Sequence, residues 1–559
     1  MFKKEVENFL KKYARVKEVY LEIPPSPDMG DYAFPCFQIA KELKKSPVEI
    51  AEELVKKFPE RSIFRKVEAR GPYINFFIDD GRISDFVIKK IMKEKERYGS
   101  FNKTKKTVVV ESPSPNTNKP LHLGHLRNMI LGMSIANLLR KAGCKVHAVD
   151  LINDRGVHIC KSMLAYKLWG KNKQPDKKTD HFVGDFYVLF SSKAKQDSSL
   201  EDKTRELLVK WEKNDKGAVA LWKKMNGWAV RGIYQTYKEF GLKIEKIYRE
   251  SEHYTKGRDI VLEGLKKNVF EKDKDGSIFI DLTSYGLDKK VLLRGDGTSV
   301  YITQDIYLAK KRYEDFKMDR MVYVVGSEQI YHFKVLFKIL ELLGYGFAKN
   351  CYHLAYGMVY LPEGKMKSRE GNVVDADNIM ADVTDLARKE IKKRFPNLSN
   401  KEVEKRAKII GLGAIKFFLI KYDPLKDFTF NPKESLSFEG ETGPYVQYAY
   451  ARISAILRSS KTLGKADYKV LTHEKEMNLV KLLNEFPLVM EQAANNYKPS
   501  LIAHYLIKLA KSLNLFYQEC PVLKEETKIK NARLHLIKAV SYVLKEGLGL
   551  LDVEVLERM

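Results

Sequence analysis

Residues 107–127 read TVVVESPSPNTNKPLHLGHLR, and the fold class turns on how this stretch changes character. TVVV is a β-branched run, and the proline- and asparagine-rich loop behind it marks a strand leaving a sheet. Beyond the loop, Leu126, Ile130, Met133 and Leu139 keep helical spacing as far as a stop at Gly143. KVHAVDLIND, residues 145–154, then reads as a second strand. Strand, loop, helix, strand is the opening of a parallel βαβ unit, so the class is α/β.

The rest of the chain can be arranged around this unit. Residues 1–100 read as a separate α/β domain, in which SPVEIAEELVKKF is a helix capped by Ser46, Pro47 and Glu49 and GPYINFFID is a strand. Residues 101–166 are the first half of the parallel-sheet domain, and 167–284 interrupt it with polar loops and a helical stretch around Trp211, Trp222 and Trp228. Sheet character returns over 285–360, where TSVYITQD and MVYVVGSEQ are both expected as strands followed by helices. Residues 361–438 turn mostly helical, and 439–559 are expected as a helical bundle.

The chain has 559 residues, enough for three or four domains, with 100 Lys+Arg against 73 Asp+Glu and a net charge of +27. Such an excess points to a polyanionic partner, because neutralising phosphates releases counterions. Charge alone does not separate RNA, DNA and membrane. Cys36, Cys144, Cys160, Cys351 and Cys520 form no CxxC pair, which offers neither a zinc cluster nor a disulfide framework. No apolar run is long enough to span a bilayer, and the basic start lacks the apolar stretch of a signal peptide. A cytoplasmic protein without membrane partners is expected.

The chemistry lies at the start of the helix. A helix N-terminus that follows a strand presents unpaired N–H groups and a positive dipole end, the makings of an anion site. His122 and His125 are three apart and share one side of the first turn. Gly124 between them lets a flat ring or a phosphate approach the backbone, and Lys119 adds a positive charge. Together these groups can meet the charge that builds on a triphosphate under attack at its α-phosphorus.

HLGH resembles the HIGH signature of class I aminoacyl-tRNA synthetases. KMKSREGN at 365–372 resembles their second signature, KMSKS, in the expected order. The fourth letter departs from it: Ser368 stands where a lysine is usual, with Lys367 one place earlier. Whether Lys119 or Lys367 compensates stays open at this level, and Lys119, in the loop fixed to the helix, is preferred. Longer blocks narrow the resemblance to the arginyl-tRNA synthetase family: ESPSPNTNKPLHLGHLRN, RGDGTSVYITQDI, YVVGSEQIYHF, and YDPLKDFTFN before ETGPYVQYAYAR.

That resemblance implies a Rossmann-type catalytic domain, an N-terminal tRNA-contacting domain and a C-terminal anticodon-binding helical domain of the DALR type. It implies ATP and L-arginine as substrates, magnesium carried with the ATP, no zinc, an arginine tRNA as partner, and a monomer. His122, His125, Lys119 and Lys365 would be catalytic, with Gly124, Lys367, Ser368, Gly357 and Met358 also meeting ATP. Asp305 would take the guanidinium, a planar and permanently charged fork suited to carboxylates. Tyr301 and Gln329 would border it, and Glu111 and Asn116 would hold further polar groups of arginine. Tyr445, Tyr448 and Arg452, with Tyr450 beside them, would meet tRNA in the helical end, and Tyr73 and Asn75 in the N-terminal domain. NARLHL at 531–536 is similar to the DALR signature, with Asn531 in place of Asp as a helix cap or a contact. Activation of arginine would require bound tRNA. Other class I synthetases and an inactive RNA-binding relative remain as alternatives; a P-loop enzyme has no GxxxxGK[ST] to support it.

Overall fold

The computed structural model describes residues 2–14, 19–22, 24, 26, 29–59, 64–362, 375–460 and 462–559. Its central feature is a five-stranded parallel sheet: β1 (Thr107–Glu111), β2 (Lys145–Ile152), β3 (Lys246–Arg249), β4 (Arg320–Gly326) and β5 (Cys351–Tyr356). The helices that matter for the site are α1 (Leu123–Lys141), α2 (Thr179–Ala194), α3 (Lys216–Phe240), α4 (Tyr301–Phe316) and α5 (Ile330–Leu342). The strands run in the order β5-β4-β1-β2-β3, and every pair is parallel. The winding therefore reverses between β1 and β4, and in open α/β sheets the crevice beyond the strand ends at such a reversal receives the ligand.

Burial explains why β1 and α1 dominate the domain. Val108, Val109 and Val110 are all buried in the middle of the sheet. The sequence predicts one apolar stripe on α1, yet Leu123, Leu126, Met129, Ile130, Ile135 and Leu138 are buried and cover most of its circumference. A helix that is apolar nearly all round belongs inside a domain. On the other face of the sheet α4 and α5 pack into a core with Val109, Val149 and Tyr323.

Two expectations about this domain are corrected. TSVYITQD is not a strand: Val300 is the N-cap of α4, and Tyr301 is its first residue. Ser299 closes a bridge with Leu293, and Thr303 Oγ1 donates to Leu292 O at 2.5 Å, so contacts with a small antiparallel sheet override the β-rich composition. The parallel sheet also resumes earlier than read, because β3 lies within 167–284. Its KIYR is a short edge strand with Ile247 exposed, and so lacks the apolar run that marks the others.

Contacts divide the chain into two compact units, one of Met1–Tyr98, Ile453–Glu485 and Lys511–Val543, the other of the remaining residues. In the first unit Tyr32–Pro35 and Phe64–Arg70 flank Tyr73–Ile78 in an antiparallel sheet. Ser46 and Glu49 form the expected capping box on Pro47–Lys56. Asn531 is no cap: it lies inside helix Thr527–Leu550 and donates from Nδ2 to Lys465 O at 3.1 Å. Arg533 two residues on is buried and paired with Glu476 at 2.6 Å and Glu525 at 3.0 Å.

Candidate active site

The two histidines cap their own helix. His122, extended at the N-cap of α1, accepts from Gly124 N on its Nδ1 at 3.2 Å. His125 returns the favour, its Nδ1 accepting from His122 N at 3.1 Å. A backbone N–H can only donate, so both Nδ1 atoms are acceptors and the neutral rings carry their proton on Nε2. Burial, with the neighbouring Lys119 charge adding to it, pushes His122 down to about 3. Burial, His122 and Lys119 likewise hold His125 well below the ordinary imidazole range. At neutral pH the pair thus offers two uncharged N–H donors beside one lysine. A Cβ on Gly124 would stand 3.0 Å from the His122 ring, which explains the glycine between them.

The loop from β1 to α1 lies along the end of β2. Asp150 Oδ1 accepts from Ser114 N at 2.9 Å, and Asn153 donates to Ser114 O at 2.9 Å. Asn116 bridges to Asn153 through the main chain and is itself exposed. Asp150 is fully buried, takes a second bond from Tyr237 Oη of α3 at 2.9 Å, and is pushed up to about 7 by that burial.

Glu111, at the end of β1, is buried against the Arg312 guanidinium and accepts from Ser114 Oγ at 3.2 Å. Burial works against the Arg312 charge, and Glu111, Tyr323, Tyr248 and Asp305 together more than restore it. Asp305 stands close enough for its charge to act on Glu111, Arg312 and Glu250. Burial, partly offset by Arg155 and reinforced by Asp154 and Asp305, lifts Glu250 to about 7. Glu111 is matched by Arg312, whereas Asp305 has among the described residues only the His332 imidazole, Nε2 to Oδ2 at 2.8 Å. Glu111, Glu250 and Asp305 thus form an acidic cluster in which Asp305 is paired with an imidazole.

Because TSVYITQD is helical, Tyr301 and Asp305 are four apart on one face of α4. Tyr301 is 71% exposed and Gln329, the residue before α5, is exposed too. The structure thus gathers Tyr301 and Asp305 on α4 and joins α4 to α5 through His332.

Gly357 and Met358 follow β5 directly. Arg127, buried in α1, donates to Gly357 O, to Pro424 O at 2.9 Å and to Lys426 O at 3.0 Å, and lies 4.6 Å over the Phe428 ring. One side chain from the HLGH helix therefore holds the segment expected to meet ATP. Met358 N donates to Asp427 Oδ1 at 2.7 Å, and a Cβ on Gly357 would overlap that carboxylate. Lys365, Lys367 and Ser368 lie outside the described residues.

Of the expected RNA contacts, Tyr445, Tyr448 and Arg452 share one face of helix Gly443–Ser460 by their spacing, Tyr448 and Arg452 being exposed. Tyr450 points elsewhere on the same helix. Tyr73 is half-buried and meets Phe37 edge-on at 5.7 Å, while Asn75 is 4% exposed. Sequence reasoning missed Arg127, Asp150 and His332. An arginine among the apolar residues of the first turns of α1 could have signalled the first; nothing local marks the other two.

Among the described residues a single group of three metal-capable side chains converges, Asp180, His181 and Asp377. The Lys178 ammonium stands 3.0 Å from Asp180 and 2.7 Å from Asp377 and supplies the charge a cation would. No helix of the described residues is long and apolar enough to cross a membrane.

Comparison with known proteins follows the same layout. The "Arginyl tRNA synthetase N terminal domain" family matches residues 1–78, "tRNA synthetases class I (R), catalytic domain" matches 87–432, and "DALR anticodon binding domain" matches 446–559. The arginine--tRNA ligase of Treponema denticola is 46% identical over 561 residues, covering 97% of this chain and 95% of that one. That of Parabacteroides distasonis is 42% identical over 565 residues, covering 95% and 94%. The solved Thermus thermophilus arginyl-tRNA synthetase superposes with a TM-score of 0.89 at 27% identity, both chains being covered completely.

Proposed function

The chain belongs to the arginyl-tRNA synthetases of class I, and from that premise we propose how its residues divide the work of joining arginine to tRNA. The family reaction uses ATP, arginine and tRNA. In the first step the arginine carboxylate attacks the α-phosphorus of ATP in line, giving arginyl-adenylate and pyrophosphate. The Nε2–H groups of His122 and His125 donate to phosphate oxygens, and Lys119 neutralises part of their charge. Lys365 joins them from the second signature. Gly357 and Met358 border the nucleotide, and Arg127 keeps that border in place. In the second step the 2′-hydroxyl of the terminal adenosine attacks the activated carbonyl, the acyl–phosphate bond breaks, and AMP leaves with arginine esterified on the tRNA. No covalent enzyme intermediate is needed, so positioning and electrostatics carry the reaction.

Asp305 takes the guanidinium. The acidic cluster around it supports this, since among the described residues Asp305 forms its ion pair with an imidazole and not with a lysine or arginine. Tyr301 and Gln329 flank the side chain, and Asn116 holds polar groups at the other end. Glu111, already paired with Arg312, adds to the negative charge beside Asp305. Lysine would leave part of this acceptor set unpaired, which favours arginine. Magnesium would enter on the triphosphate: two imidazoles and a lysine suit phosphate oxygens and do not suit a hard divalent cation. The helical end and Tyr73 meet tRNA, and the protein acts as a cytoplasmic monomer.

The observation that carries the reading is the reciprocal capping that occupies both Nδ1 atoms and so leaves the proton of each neutral ring on Nε2. ATP–pyrophosphate exchange across all twenty amino acids, with and without tRNA, tests it. Exchange with arginine alone, and only with tRNA, is expected. Another amino acid would overturn the pocket, and silence from folded, tRNA-binding protein would overturn the activity.

A further inference from the structure

Helix α2 belongs to the inserted stretch. It carries a glycine at its centre, and a glycine inside a helix costs about 1 kcal/mol relative to alanine. Such a residue calls for a close approach. Gly184 has one: a Cβ there would stand 2.7 Å from Pro120 Cδ and 3.5 Å from Lys119 Cα, in the loop that leads into HLGH. Helix α3 repeats the device one layer further out. A Cβ on its Gly232 would overlap the Asp180 carboxylate and stand 2.5 Å from Asp180 N. Two glycines thus stack α3 on α2 and α2 on the phosphate loop.

A second contact reaches the same loop from the other side. His181 Nε2 bonds Asp377 Oδ2 at 2.7 Å, and Lys178 Nζ bonds Asp377 at 2.7 Å and Thr236 Oγ1 of α3 at 2.6 Å. Thr236 Oγ1 donates onward to Asp377 Oδ1 at 2.9 Å. The segment thus fastened pairs with the first signature: Ala376 N donates to Leu121 O at 2.8 Å, and Asp375 bridges His122. Residues 120–122 therefore meet two anchors, α2 itself and the Asp375–Asp377 segment that the insertion fastens.

We propose that the insertion serves as a brace for the phosphate loop, with Gly184 and His181 as positioning residues for the ATP half of the reaction. Neither touches substrate; each acts through Pro120 or through Asp375–Asp377 on where His122 and Lys119 stand. Burial opposes ionisation of Asp377, yet the bonds from His181 and Lys178 hold it below the ordinary carboxylate range. The Asp377 hydrogen bond raises His181 in turn. The charged groups facing this imidazole are Lys178, Asp180, Asp375 and Asp377.

The inference rests on the arginylation reading, and one experiment separates the two. Arginine-dependent exchange by the wild-type chain tests the reading; the variants test the brace. Displacing reacting groups by about 1 Å costs on the order of 100-fold, so Gly184→Ala is expected to lose roughly 10- to 100-fold in kcat/KM for ATP. The KM for arginine should stay within about 2-fold, since Gly184 meets the loop at Lys119 and Pro120. Pro120→Ala removes the opposing ring and should restore most of the loss in Gly184→Ala. Gly227→Ala, an open position on α3, is the control and should match wild type. If Gly184→Ala does not fold, His181→Ala decides, with a loss confined to ATP expected. Wild-type ATP kinetics in the folded variant, or an equal loss for both substrates that Pro120→Ala does not relieve, would overturn the brace.

Discussion

At the proposed phosphate end, the protein-facing nitrogen of each histidine is already bonded to backbone. At the proposed guanidinium end, Asp305 looks outward with an imidazole as its partner. At the first site burial keeps both rings neutral beside Lys119. The second is open and acidic, with Tyr301 and Gln329 exposed around it. The contrast follows the ligands. A triphosphate brings its own charge and needs fixed donors, placed before charge builds up in the transition state. A guanidinium needs a carboxylate whose charge is not already neutralised by a lysine or arginine. Preorganisation at one end and a carboxylate paired with an imidazole at the other are two answers to the same problem of binding a charged substrate.

Mutations at the two ends should therefore fail differently. The largest effect is expected for His125→Ala, which removes a phosphate donor and also the bond that caps His122. Losing one such donor costs about 10²–10³ in kcat, and single-turnover adenylate formation with saturating arginine would read it. Normal activation would break the phosphate assignment. Asp305→Ala comes next. Removing one partner of a buried charge pair costs about 2–5 kcal/mol, and the carboxylate keeps 32% of its side-chain exposure, so roughly 2–3 kcal/mol is expected, as a rise in arginine KM with ATP KM unchanged. An unchanged arginine KM would take Asp305 out of the pocket.

The smallest effect sharpens the contrast through pH. Burial lifts Asp150 to about 7, above the ordinary unfolded value of about 3.9. The folded chain then holds this proton while the unfolded chain has released it, so this group lowers stability as pH rises from about 4 to about 7. His122 and His125 act with the opposite sign: lowered in the folded state, they lose stability as pH falls below about 6.5. Asp150→Asn should remove the Asp150 share of the first trend, Glu250 keeping its own. Thermal melts of variant and wild type should diverge by a few degrees, with the variant favoured at pH 8 relative to pH 5. Parallel curves would show that Asp150 does not titrate in this range.

Much of the phosphate end was legible in the chain because it is local. The strand-loop-helix order and the His122–His125 spacing lie within one short stretch, and capping geometry depends on neighbours three residues apart. The guanidinium end was legible in its residues but not in its setting. TSVYITQD is β-rich, and only its contact with the strand at Leu292–Leu293 makes it helical, which in turn places Tyr301 and Asp305 on one face. His332 reaches Asp305 across 27 positions, and Arg127 reaches Pro424 across 297. No local signal marks such pairs.

The sequence by itself determined the α/β class, the phosphate helix, the basic character and the order of the signatures, since periodicity, charge and motif spacing are properties of the chain. Only the tertiary structure decided which carboxylate is paired with an imidazole, which arginine holds the Gly357 segment, and that two insertion glycines stack α3 on α2 and α2 on the phosphate loop. The physical reason is the same throughout. Whether a charge is matched, and whether a glycine is crowded, depends on atoms far along the chain that folding alone brings within 3 or 4 Å.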